Sequence, residues 1–238
     1  MTLASILLIG VLLGMKHALE ADHIAAVASL ATRHTRVADV VRQGVVWGMG
    51  HTITLMTVCG GVLLIGAAIP VHFAQGLEIA VGIMLIGLGS EVLWRLRRAR
   101  IHFHAHRHFG RVHLHAHSHK GESEHKYSLH QHEHAKRLPM RPLAVGMMHG
   151  LAGSAVLVLL SLEAIHSPAW GVVYIALFGV GSIVGMAVLS VVIGISLRLS
   201  AAYLSRAHSL LNAGVGVATV LIGAHLIYHI AVIERLLI

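Results

Sequence analysis

The sequence predicts an all-α, polytopic membrane protein: six transmembrane helices built as two inverted three-helix repeats. Composition, the spacing of apolar runs and an internal repeat each point there. Of 238 residues, 56% are hydrophobic and 12% charged, with a mean hydropathy of +0.76. A soluble domain carries about 25% charged residues. Six runs are apolar enough to cross about 30 Å of hydrocarbon. Helices are expected because lipid leaves backbone groups no outside partner and the runs lack a barrel's alternation.

In order, the runs are roughly Leu3–Ala31, Gly44–Ile69, Ala74–Leu96, Leu143–Glu163, Ala169–Leu197 and His208–Ile233. The first exceeds one crossing and requires tilt or a break near Gly14. It continues without a basic leader or a cleavage pattern, so Met1–Gly14 is not expected to be a signal peptide. Basic residues set the orientation. Arg33, Arg36 and Arg42 lie in the first connection, eleven lie from Arg95 to Arg141, and Arg198 and Arg206 lie in the fifth. Those sixteen of eighteen fall on one side, which the positive-inside rule assigns to the cytoplasm. Both termini then lie outside, periplasmic if the membrane is a bacterial inner membrane.

The two halves repeat. Gly14-Met-Lys-His17-Ala-Leu19 aligns with Gly146-Met-Met-His149-Gly-Leu151, and Trp47-Gly-Met-Gly-His51 with Phe178-Gly-Val-Gly-Ser182. Val81-Gly-Ile83 through Trp94 aligns with Val215-Gly-Val217 through Tyr228. The offsets agree within three residues. Three spans is an odd number, so the second copy enters the membrane upside down, a recurring transporter plan with its site where the copies meet. The expected organisation is a first repeat over 1–96, a cytoplasmic His-rich loop over 97–141 and a second repeat over 142–238. Twelve histidines fall between His102 and His134. With few apolar residues that stretch is expected to be disordered, binding divalent transition metals loosely and able to pass them to a cytoplasmic acceptor.

Function is concentrated in His17-Ala-Leu-Glu-Ala-Asp22-His23, which sets imidazoles and carboxylates inside the first apolar run. Ionisable groups at membrane depth normally face an ion path or a protein interior. Residues of a helix advance about 100° each, so His17 stands roughly 140° from Asp22 and roughly 120° from His23. These three cannot reach one ion from a regular helix. Either the helix unwinds around Gly14–Ala21, or a second helix completes the shell. His51, among the small residues of Trp47-Gly-Met-Gly-His51-Thr52, is the natural second-helix donor, and the repeat adds His149. The metal-ligand set is therefore His17, Asp22, His23, His51 and His149. Imidazole suits nickel, cobalt, zinc and copper, whereas magnesium and calcium want mostly oxygen. The plain alternative is a buried polar cluster that only ties helices together.

Lys16-His-Ala-Leu-Glu-Ala-Asp-His-Ile24 resembles the His-x4-Asp-His signature of the nickel/cobalt transporter (NiCoT) family. Gly48-Met-Gly-His51-Thr52 is similar to that family's second-helix motif. The resemblance implies that His17, Asp22, His23 and His51 serve metal selection and transport, and that the substrate is Ni²⁺ or Co²⁺. The chain departs from typical members in having six spans where they have eight. Ser154 and Ala155 also stand where the repeat matches Asp22 and His23. In both respects it looks like the short, urease-associated branch.

The expected function is a permease carrying Ni²⁺ (or Co²⁺) into the cytoplasm through a midplane His/Asp site. It is expected to need no resident cofactor, and the expected partners are the ion, the lipid bilayer and a cytoplasmic metal acceptor. Efflux through the same site is the sibling reading. No Walker-type loop is present, so ATP is not the expected drive. A hydrolytic membrane enzyme would show His-Glu-x-x-His, which is missing, and a haem protein would use a histidine pair as axial ligands. The net charge of +8 comes mostly from residues near span ends, so nucleic acid is not an expected partner. The single cysteine, Cys59, leaves no internal disulfide and no four-thiolate site.

Overall fold

The structure, a computed structural model, describes residues 3–34, 36–65, 70–98, 102–108, 111–117, 140–151, 167–203 and 205–234. The helices are α1 (Leu3–His17), α2 (Ala21–Ala31), α3 (Val37–Ile65), α4 (Val71–Arg98), α5 (Met140–Gly150), α6 (Pro168–Tyr203) and α7 (Ser205–Tyr228). A π-helical segment, His229–Ile233, continues α7. Strands β1 (His102–His108) and β2 (Arg111–His117) form an antiparallel pair.

Four helices are long and apolar enough to cross a membrane: Val37–Ile65, Val71–Arg98, Ala169–Ala201 and His208–Ile233. They match four of the six expected runs. The first run is two short helices instead of one, because the chain leaves helical geometry between His17 and Ala21. Leu19 N–H reaches back to Lys16 O at 2.9 Å and Glu20 N–H to His17 O at 3.0 Å, tight turns that end α1. Glu20 is extended and caps α2 without a side-chain bond. The fourth run is helical through Gly150, and its remainder, including Ser154 and Ala155, lies outside the described residues.

One expectation needs correction. Part of the stretch read as disordered is a hairpin, whose register pairs His102 with His117, His104 with His115 and His106 with His113. Its histidines alternate with Phe103, Ala105, Val112, Leu114 and Ala116. That is a strand's period of two. Residues 118–139 lie outside the described residues.

Lipid is as apolar as leucine, so close packing and polar ties must hold such helices together. The short α2 is central. Its Ala25, Ala26, Val27 and Leu30 pack with Trp47 of α3, Val81, Leu85 and Leu88 of α4, and Met186 and Leu189 of α6. Ser29 Oγ meets Thr219 Oγ1 of α7 at 2.8 Å. Large apolar side chains such as Leu64, Phe73, Ile83, Leu210 and Leu221 point outward, as a lipid-facing surface requires.

Contacts between the halves are reciprocal: α1 packs on α6 as α5 packs on α3, and α3 meets α6 as α4 meets α7. Side-chain-free crossings follow the same pairing. A methyl at Gly14 would meet the Phe178 carbonyl, and one at Gly146 the Trp47 carbonyl. Gly82 and Gly223 each face the other's carbonyl, as Gly89 and Gly216 do. At the arginine-bearing end, Glu91 of α4 pairs with Arg33, Arg95 and Arg141. This joins the end of α2 to the start of α5.

Candidate metal site

The break after α1 solves the angular problem set by the sequence. His17 ends α1, and Asp22 and His23 begin α2 at a new angle. His51 comes from α3 and His149 from the end of α5. All four imidazoles are buried, at 4%, 1%, 0% and 2% exposure for His17, His23, His51 and His149. Their rings form one cluster: His17–His23 centroids are 4.3 Å apart, His23–His149 4.2 Å, and His17–His51 and His23–His51 5.4 Å.

Asp22 fixes the protons. Its Oδ1 accepts from the His23 backbone N–H and lies 2.8 Å from His23 Nδ1, and its Oδ2 lies 2.9 Å from His149 Nε2. An ionised carboxylate only accepts, so His23 donates through Nδ1 and His149 through Nε2. The other nitrogen of each ring, His23 Nε2 and His149 Nδ1, then carries a lone pair. A carboxylate behind an imidazole in this way orients metal-binding histidines and raises their basicity.

Those lone pairs are unspent. His17 Nε2, His23 Nε2, His149 Nδ1 and both nitrogens of His51 are buried without a hydrogen-bond partner among the described residues. His17 Nδ1 lies 3.0 Å from Glu20 Oε1 but is poorly aligned with it for a hydrogen bond. Each orphaned buried polar atom costs about 1–3 kcal/mol. Several in one spot are not what a polar tie between helices would leave.

The donors fall into two overlapping groups. His17, His23 and His51 bring ligand atoms within 4.8 Å of one another, and so do Asp22, His23 and His149. His23 belongs to both. Among the described residues these are the groups of this kind. Every residue singled out in the sequence is thus in one cluster, while the neighbouring Lys16 faces outward.

Two aromatic walls were missed. Trp47 is fully buried, stacks on His51 at 5.8 Å and stands edge-on to His23 and His149 at 5.2 Å. Phe178 lies 5.5 Å from His17. The repeat aligns Trp47 with Phe178 and His17 with His149, so each copy's histidine stands against the other copy's aromatic. That cross-pairing was the available signal. Ser182, the counterpart of His51, is fully buried with its Oγ unpartnered among the described residues.

Comparison with known proteins adds one relative. The chain is 33% identical over 235 residues to a urease accessory protein, UreH, of Bacillus sp. (strain TB-90), covering 98% of this chain and 95% of that protein. No family model matches the chain, and no solved structure matches it.

Proposed function

The chain belongs to the family of the urease accessory protein UreH, and from that premise we propose that it is a membrane permease delivering Ni²⁺ (or Co²⁺) to the cytoplasm. The observation that carries this is the pair of donor triads sharing His23. An ion held by three protein ligands is under-coordinated, and a conducting site must bind firmly enough to fill but weakly enough to empty. His23 gives the ion a ligand it keeps while it exchanges His17 and His51 for Asp22 and His149, or the reverse. The donors are imidazole and carboxylate, which suit nickel and cobalt. A relative named for service to urease fits an ion supplied to that enzyme.

Entry into a cell at about −100 mV releases roughly 4.6 kcal/mol for a dication, at about 2.3 per charge. That is sufficient drive without ATP. The architecture behind this reading is two inverted three-helix repeats with both termini outside. The reciprocal glycine contacts and the clustering of arginines toward one end support it. The histidine hairpin would then lie on the cytoplasmic side, positioned to receive the ion.

The test is Ni²⁺ accumulation by cells expressing the protein. His17→Ala is expected to abolish accumulation while the protein still inserts into the membrane. Uptake at the unsubstituted level rejects the permease, and a fall in cell nickel on expression of the unsubstituted protein reverses the direction.

A further inference from the structure

The end of the bundle opposite the Glu91 arginines holds a second set of donors. Gln75 of α4 donates from Nε2 to Glu234 Oε2 at 3.0 Å, and His229 Nδ1 lies 3.4 Å from Glu234 Oε1. Gln75 is only 8% exposed, and its amide oxygen has no hydrogen-bond partner among the described residues. Glu78, one turn along α4 and half-buried, lies within electrostatic reach of Glu234, His229 and Asp22. The His225 ring stands 6.2 Å from that of His229. His229 opens the π-helical segment, an irregularity that often marks functional positions. Arg235 follows in sequence and lies outside the described residues.

Gln75, Glu234 and His229 therefore meet at this end, with Glu78 one turn along α4 and His225 one turn along α7. No basic residue occurs in either connection on this side. The oxygen-rich set contrasts with the imidazole-rich one below it. Oxygen ligands hold a hydrated dication loosely, with waters retained, whereas imidazoles demand that waters leave. Glu78 stands one turn along α4 from Gln75, and its charge interacts with those of both Glu234 and Asp22.

We propose that Gln75, Glu78, His229 and Glu234 form a second, weaker site for a hydrated divalent transition cation, an antechamber from which the ion reaches Asp22. The binding stands on these residues alone; the antechamber role rests on the transport reading above.

The test uses the full chain in proteoliposomes, with Ni²⁺ as the probe. The double variant Glu78→Gln, Glu234→Gln is expected to raise KM for uptake about tenfold, the lower end of what focusing charge at an entrance supplies. kcat stays within about twofold, and the difference from wild type shrinks at high salt as screening removes it. Equilibrium Ni²⁺ binding to the same proteins should fall by one weak ion, counted as a difference so that the loop histidines cancel. An unchanged KM together with an unchanged number of bound ions overturns the proposal. A lowered kcat at constant KM overturns it too, because that marks packing. Should the double variant misfold, Gln75→Glu replaces it: an added carboxylate lowers KM, and a constant KM is fatal. If His17→Ala leaves uptake intact while the double variant still loses its ion, the permease fails and the second site survives.

Discussion

The two halves of this bundle share a frame and differ in chemistry. At matched positions both have a glycine against a carbonyl of the opposite half, Gly14 on Phe178 and Gly146 on Trp47. Both end a helix in histidine there, His17 and His149. The first half then adds Asp22, His23 and His51, whereas the second offers Ser182 in the His51 position. Backbone approach tolerates only the smallest residue, so glycine stands at both positions. Donors are under no such steric constraint, and beyond the paired His17 and His149 they stand on one side only. A near-symmetric scaffold thus holds an asymmetric cluster, and in the proposed permease that asymmetry would give the ion a preferred neighbour.

The sharpest way to break that comparison is His23→Ala, which removes the ligand common to both triads. Ni²⁺ uptake should fall on the order of 100-fold or more, the upper range even for supporting groups around a metal, measured beside membrane-inserted protein. Loss no larger than for His149→Ala would deny His23 its shared role. The smallest effect expected is from Ser182→His, which makes the second half more like the first. An added donor deepens the site, so Ni²⁺ binding should tighten and turnover slow by a few-fold. Faster transport would show that symmetry helps.

Much of the site was readable from sequence because His-x4-Asp-His sits where lipid penalises it. His149 was readable only through the repeat. The sequence left open how one run could present His17, Asp22 and His23 together, and the break at 18–20 decides it. The Asp22–His149 bond was invisible, since it joins residues far apart in the chain, and the Trp47 wall showed only through the cross-pairing of the two halves. Of the arginines around Glu91, Arg95 stands four residues on along the same helix, as spacing allows, whereas Arg33 and Arg141 come from separate segments that no spacing rule connects. The hairpin's alternation was on view in the His-x-His steps, but composition argued the other way.

The start of α2 deep in the bundle carries a consequence of its own. The opening turn of any helix exposes amide hydrogens and the equivalent of about half a positive charge, here beside the candidate metal site. Asp22 sits in that turn and takes the His23 amide hydrogen on its own oxygen at 2.8 Å. The carboxylate therefore cancels a repulsion built into the backbone before it attracts anything. An asparagine of the same shape would keep the bond and lose the cancellation, leaving the chamber hostile to cations with every imidazole still in place.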